Sequence, residues 1–318
     1  MRILVTPTSF NKPEAAKAKS MLEAFAVETV YNNYGRPLSE DEVAEMTQGC
    51  DGYIAGLDSI TGNAVEQMPV SLKVISRYGA GVDRVDLKAA ERKGIVVTNT
   101  PGANTEAVAD LTFGLLLAAA RRIPLLDRKV RLNEWPRSQG VEIYNKTIGI
   151  IGFGAVGKAV ARRAKGFSMR IMAFDPCMDK AYAEKNDILA CELDVLLRNS
   201  DFISLNLPYN EDTRHIIGGR AIGLMKPGAI IVNTARGGLI DEAAAYTALK
   251  EERLGGLALD AFEAEPPQYS PLFELYNVVL TPHTGAHTAE AVENMAVMAV
   301  KNLIDILEGR NCSNIVKG

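Results

Sequence analysis

From residue 147 to residue 281 the chain repeats one pattern: a short apolar run, a few small or polar residues, then a stretch with helical spacing. The apolar runs cover residues 147–152, 170–175, 201–207, 228–233, 255–260 and 277–281, and helical segments such as 155–166, 194–199 and 241–249 separate them. A strand that is followed by a helix before the next strand must cross over, and crossovers make neighbouring strands parallel, with helices covering both faces of the sheet. Six such strands are the number in a doubly wound Rossmann domain.

A second alternating stretch fills the first 99 residues, with strand-like runs at 2–6, 53–55, 73–76 and 95–98 and a helical segment at 14–25. It predicts a second, flavodoxin-like α/β domain. Between the two stretches Asn104-Thr105-Glu106 can cap a helix that runs through the apolar residues 107–120. Being apolar nearly all round, that helix is expected to be buried, with a second subunit as one candidate cover. A last helix, from about 288 to 307, lies beyond the sixth run and is expected to pack back on the first domain. The expected division is therefore a discontinuous first domain, 1–99 with 288–318, and a second domain, 100–287.

Composition narrows the class. With 318 residues, 47% of them hydrophobic, the chain holds enough apolar material for two cores. A net charge of −4 without a block of five like charges argues against nucleic acid or an anionic membrane as partner. The longest strongly apolar run, 111–120, is well short of the ~18 residues that cross a bilayer. Met1-Arg2 leads straight into Ile3-Leu4-Val5, too short for a signal-peptide core. Cys50, Cys177, Cys191 and Cys312 are widely spaced, which suggests reduced thiols and a cytoplasmic location, with neither a disulfide framework nor a metal site.

The first strand of the second domain runs into Gly152-Phe153-Gly154-Ala155-Val156-Gly157, a G-x-G-x-x-G that opens a helix. Gly152 permits the tight turn, Gly154 lets a pyrophosphate approach the backbone, and Gly157 lets the helix pack on its strand. The helix N-terminus then offers N–H groups and a positive dipole end to the phosphates, with Ala155 and Val156 in its first turn. Asp175 ends the next strand, 18 residues after Gly157. A carboxylate there can accept both ribose hydroxyls and would repel a 2′-phosphate, which favours NAD over NADP.

Ligands of open α/β sheets bind outside the carboxyl ends of the strands. Three later strands end in charged loops: Asn233-Thr234-Ala235-Arg236-Gly237-Gly238, Asp260-Ala261-Phe262-Glu263-Ala264-Glu265-Pro266-Pro267 and Thr281-Pro282-His283-Thr284-Gly285. Reducing a carbonyl puts negative charge on oxygen, and histidine is a suitable proton donor near neutral pH. A carboxylate beside an imidazole fixes its tautomer. A guanidinium can hold a substrate carboxylate and the developing alkoxide. Arg236, Glu265 and His283 fill these roles; His215 and His287 are read as ordinary histidines.

Taken with Gly79-Ala80-Gly81-Val82-Asp83 and Asn99-Thr100-Pro101-Gly102-Ala103-Asn104, these ordered motifs resemble the D-isomer-specific 2-hydroxyacid dehydrogenase family, which includes D-3-phosphoglycerate dehydrogenases. The resemblance implies an NAD-dependent exchange of a 2-keto acid with a D-2-hydroxy acid. In it Arg236 binds the substrate carboxylate and carbonyl, His283 is the acid/base and Glu265 its partner. It further implies that Asp260 binds the nicotinamide carboxamide, and that Pro208, Thr234, Ala235, Arg236, His283, Gly285 and Ala286 line the cofactor. Tyr78, Gly79 and Ala80 would meet the substrate, a glycine-rich loop offering backbone N–H groups to an anion. The resemblance also implies that the discontinuous domain, 1–99 with 288–318, is the substrate-binding domain, that 100–287 is the NAD-binding domain, and that a homodimer forms through the latter. Asp110 stands where the family often has glutamate, and His287 where a small residue is usual. The chain ends at Gly318, so no C-terminal regulatory module is expected.

Substrate identity stays open between 3-phosphoglycerate/phosphohydroxypyruvate and glyoxylate/hydroxypyruvate. A phosphorylated substrate needs extra cations, for which Arg77 and Lys12 are candidates. Two competing readings use the same fold: a relative acting on another small anion such as phosphite, and an NAD(H)-sensing, corepressor-like binding protein. Glu265 argues against formate, since the resemblance implies glutamine there in formate enzymes.

Overall fold

A computed structural model describes residues 1–26 and 28–318. The chain forms two compact units, Met1–Asn104 with Ala286–Gly318, and Thr105–Gly285. In chain order the first unit contributes β1 (Arg2–Val5), β2 (Glu28–Tyr31), β3 (Gly52–Ala55), β4 (Val74–Arg77) and β5 (Val96–Thr98). The second contributes β6 (Thr147–Ile151), β7 (Arg170–Phe174), β8 (Leu189–Ala190), β9 (Phe202–Leu205), β10 (Ala229–Asn233), β11 (Leu254–Leu259) and β12 (Val278–Leu280). β13 (Ile315–Val316) returns to the first unit.

The first sheet has the order β13-β5-β4-β3-β1-β2. Its five leading strands pair in parallel in the flavodoxin order, and β13 adds an antiparallel edge through Ile315↔Thr98 and Val316↔Val97. The sequence pattern signals neither edge. β2 (Glu-Thr-Val-Tyr) is only half-buried and lacks an apolar run, and β13 is two residues long. The helix Ala289–Leu307 is capped by Thr288, whose Oγ1 accepts from the Ala291 amide at 3.1 Å. Its buried face, Ala291, Val292, Met295, Ala296, Ala299, Val300 and Leu303, lies on this sheet, and the Ser76 hydroxyl donates to the Ala299 carbonyl at 2.8 Å. Beyond the strand ends, buried Asp58 knots three loops: its carboxylate accepts from Thr6 Oγ1, from the Tyr53 hydroxyl (2.8 Å) and from the amides of Gly56 (2.9 Å) and Leu38 (2.7 Å).

The second sheet has the order β12-β11-β10-β9-β6-β7-β8, and every pair is parallel. This is the doubly wound Rossmann arrangement with a seventh strand. The sequence reading of six strands missed β8, whose two residues include a Leu189 that is 58% exposed, so no apolar run marks it. Successive residues of β6 feed opposite faces. Ile148 and Ile150 join one buried cluster and Ile151 the other, each side chain worth about 1.5–3 kcal/mol on burial.

The Thr105–Ala120 helix packs on β10, β11 and the Ala155–Gly166 helix. Its burial is not all round, as the sequence suggested. Glu106, Asp110 and Gly114 form an exposed stripe, and the two acids pair with Arg163 at 2.8 and 2.7 Å. No described helix is long and apolar enough to cross a membrane.

Candidate active site

The glycine loop has the shape a dinucleotide phosphate needs. Gly152 sits at φ +92°, a conformation that glycine adopts without strain, and an ideal Cβ there would lie 2.5 Å from the Asn206 carbonyl carbon. A Cβ on Gly157 would lie 2.1 Å from the Gly152 oxygen, so that glycine sets how closely helix and turn approach. At Gly154 a Cβ would meet nothing within 4 Å: it would protrude into the open space over the helix N-terminus. Gly154 and Ala155 are exposed, Val156 is half-buried, and no side chain caps this end of the 12-residue helix. The residues present therefore fit a pyrophosphate. Asp175 stands beside the loop. Its Oδ2 accepts from the Phe153 amide at 2.6 Å and its Oδ1 from the Cys177 amide at 2.7 Å, which fixes the carboxylate at the lip of the turn.

The carboxyl ends of β10, β11 and β12 carry the charged loops. Beyond β10, Asn233 folds its own loop: its Oδ1 accepts from the Ala235 amide (3.0 Å) and its Nδ2 donates to the Arg236 carbonyl (2.8 Å). Thr234 Oγ1 bonds Thr112 Oγ1 at 2.8 Å, anchoring the loop to the long helix. Arg236 Nη1 donates to the Ala235 carbonyl at 2.8 Å. The next residue, Gly237, lies flat on the β11 loop; an ideal Cβ there would fall 1.8 Å from the Phe262 carbonyl carbon and 2.3 Å from the Glu263 nitrogen. The arginine-bearing and glutamate-bearing loops are thus stacked backbone on backbone.

Glu265 and His283 meet directly, with both carboxylate oxygens near Nδ1, at 2.8 and 2.9 Å. Glu265 Oε1 also accepts from the Phe262 amide at 3.1 Å, which aims the carboxylate. Their side chains are 18% and 30% exposed, and His283 Nε2 bonds none of the described residues. His283 has φ +50°, an uncommon conformation for a side chain of this size, and Asp260 explains how it is held. That carboxylate, 1% exposed, accepts from Thr281 Oγ1 (2.6 Å) and the Thr284 amide (2.8 Å) on one oxygen and from the Gly285 amide (2.8 Å) on the other. Asp260 therefore braces the loop on both sides of His283. Pro208 precedes another turn, its carbonyl accepting from Thr213 Oγ1 at 2.8 Å, and Ala286 falls in the first unit.

Within the first unit, Tyr78 is buried. Its hydroxyl donates to the Val292 carbonyl at 3.1 Å and bonds Ser9 Oγ at 3.2 Å, and burial pushes it above its ordinary pKa. The Gly79 amide donates to Thr100 Oγ1 at 2.9 Å, whereas the amides of Ala80 and Gly81 donate to none of the described residues. Arg77 is buried, with Nη1 on the carbonyls of Ala55 and Tyr78. Lys12 is exposed.

Sequence reasoning missed a second histidine–carboxylate pair. His215 Nε2 lies 3.0 Å from Glu263 Oε1, which also accepts from the Glu242 amide at 3.2 Å, while the Glu263 amide donates to Glu242 Oε1 at 2.9 Å. Burial pushes the Glu242 carboxyl up; the Glu263 amide opposes this and the Glu263 charge adds to it. The one available signal was the Asn210–Thr213 turn, closed by mutual side-chain bonds, which aims the following His215.

A glycine-loop Rossmann unit with an imidazole–carboxylate pair at its strand ends defines a nicotinamide dinucleotide oxidoreductase. The model of the D-isomer specific 2-hydroxyacid dehydrogenase NAD binding domain matches residues 113–285. The D-3-phosphoglycerate dehydrogenase of Methanocaldococcus jannaschii is 44% identical over 88% of this chain, which spans 54% of that relative's length. The glyoxylate reductase of Korarchaeum cryptofilum is 42% identical over 88% of this chain and 86% of its own. Among solved structures, a glyoxylate reductase from Paecilomyes thermophila superposes with a TM-score of 0.88 at 30% identity, over 99% of this chain and 98% of that one. The chain belongs to the D-isomer specific 2-hydroxyacid dehydrogenase family.

Proposed function

We propose that the chain interconverts a small 2-keto acid and the corresponding D-2-hydroxy acid, with NAD in preference to NADP. The pairing of Glu265 with His283 carries this reading. Because a carboxylate only accepts, Nδ1 of His283 must bear the proton between them, and Nε2 is the ring atom left to exchange a proton with substrate. When bound, the nicotinamide supplies or takes the hydride. The chain's own groups then have three tasks. His283 gives a proton to the keto oxygen, or takes it from the hydroxyl in the reverse direction. Glu265 holds the ring in its tautomer and stabilises its protonated form. Arg236 holds the substrate carboxylate and the oxygen on which charge develops.

Arg77, spent on two backbone carbonyls, favours a substrate whose only anionic group is its carboxylate. Such a substrate is glyoxylate or hydroxypyruvate rather than a phosphorylated acid. The test is a panel of glyoxylate, hydroxypyruvate, pyruvate and phosphohydroxypyruvate with NADH and NADPH, followed by cofactor absorbance. The expected result is turnover with NADH fastest on an unphosphorylated acid. Tight NADH binding without turnover on any of them would overturn the reading in favour of a nucleotide-sensing protein.

The chain acts as a homodimer through the second unit. The helix Ile123–Arg131 buries none of its residues, and Ile123, Val130, Leu132, Trp135, Val141 and Tyr144 are between 44% and 84% exposed. Six large apolar side chains within one short segment form a surface of the kind that a symmetric partner covers.

A further inference from the structure

We propose that His215 is a positioning residue: through Glu263 it holds the loop that aims Glu265 at His283. The proposal rests on the reading of Glu265 and His283 given above. The contacts form a continuous series inside the second unit. The His215 amide donates to the Gly238 carbonyl at 2.8 Å, and Ile217 bridges to Ile240, so the histidine's segment runs along the arginine loop. From there the imidazole reaches across to Glu263 Oε1 at 3.0 Å. Glu263 is also locked to the N-terminus of the Glu242–Lys250 helix by the two reciprocal bonds with Glu242. The adjoining residue, Phe262, donates its amide to Glu265, and Glu265 takes His283. Freeing Glu263 therefore frees the amide that orients the catalytic carboxylate, at a place where Gly237 is packed against the same backbone.

The pair is half-exposed, with His215 34% and Glu263 40% accessible, so it adds little to global stability. Its effect is on placement, and misplacing a catalytic group by about 1 Å can cost about 100-fold in rate. A part of that displacement corresponds to a loss of about tenfold.

His215 has φ +50°, so the disrupting variant is His215→Asn, which tolerates the left-handed conformation yet is too short to reach Glu263. His215→Gln can present an N–H where Nε2 stands. Each is made in the parent and in a Glu265→Gln background and assayed with NADH and the best keto acid. In the parent, His215→Asn should lower kcat about tenfold with KM within about twofold, and His215→Gln should recover most of it. In the Glu265→Gln background, His215→Asn should change kcat less than about twofold, because the group it positions is already altered. Two results overturn the proposal alone: His215→Asn at parental kcat, or an equal loss in both backgrounds. Glu265→Gln at parental kcat/KM would overturn instead the active-site reading on which the proposal stands.

Discussion

Gly237→Ala tests the stacking of the arginine-bearing and glutamate-bearing loops most directly. The new Cβ would fall 1.8 Å from the Phe262 carbonyl carbon and 2.1 Å from its oxygen, where ordinary contact begins near 3.4 Å, so about 1.5 Å of movement has to be found. No rotamer change relieves this, because both neighbours are backbone. If the β11 loop yields, Glu265 Oε1, now 2.8 Å from His283 Nδ1, leaves hydrogen-bond range; if the β10 loop yields, Arg236 moves instead. A displacement of an ångström costs about 100-fold in kcat/KM, about 2.7 kcal/mol of transition-state stabilisation. The glycine loop at the end of β6 takes no part in this contact, so the Kd for NADH, read by fluorescence, should stay within about threefold. Gly238→Ala is the control. Its Cβ would meet the ring of Tyr209 at 2.5 Å, a half-exposed side chain that can swing aside, and its loss should stay under about fivefold. A Gly237→Ala protein that folds and keeps kcat/KM within about threefold of the parent would show that the loops are not coupled in this way.

Asp260→Asn places a donor against the Gly285 amide in a site that is 1% exposed, which should cost about 1–3 kcal/mol of stability by calorimetry and about tenfold or more in kcat/KM. Asp175→Ala removes the carboxylate at the lip of the glycine loop and should shrink the preference for NADH over NADPH about tenfold, measured as the ratio of kcat/KM values. Glu242, whose pKa is raised from 4.5, adds stability that is complete below that pH and lost as the pH rises through its raised value. Glu242→Gln should therefore raise Tm at neutral pH, with the advantage vanishing below pH 4.5. Leu132→Glu with Trp135→Ala, at positions 58% and 84% exposed, should shift the chain from dimer to monomer in sedimentation without unfolding it.

The legible parts of this fold are those whose information is local. β6 and the Ala155–Gly166 helix announce themselves because a buried parallel strand is continuously apolar and the turn between them demands glycine. The placement of Arg236, Glu265 and His283 after the ends of neighbouring strands was legible, because the loops that follow apolar runs of a parallel sheet emerge at one edge. β2, β8 and β13 were not, since a short edge strand exists only by virtue of its neighbour. His215 and Glu263 are 48 residues apart, and nothing in either local sequence says that they touch. Asp260 shows the same limit differently. Its position at a strand end was plain, but its three bonds to the His283 loop depend on the β11–β12 register.

The two acids of the β11 loop divide their work by what each one holds in place. Asp260 accepts three donors from within the chain and is sealed from solvent, so its negative charge is directed at amide and hydroxyl donors and its effect is geometric. That geometry has a use. A left-handed histidine costs about 1–3 kcal/mol, and it persists only where its surroundings over-determine it, as three bonds to the flanking residues do here. Glu265 accepts from the Phe262 amide and lies against the His283 imidazole, and it is partly open, so in the proposed reaction it is the acid that faces the ring itself. Exchanging the two roles would fail on both sides. In the proposed reaction a carboxylate sealed behind the loop could not meet the ring, and one that faces the ring could not hold the turn that brings the ring to it.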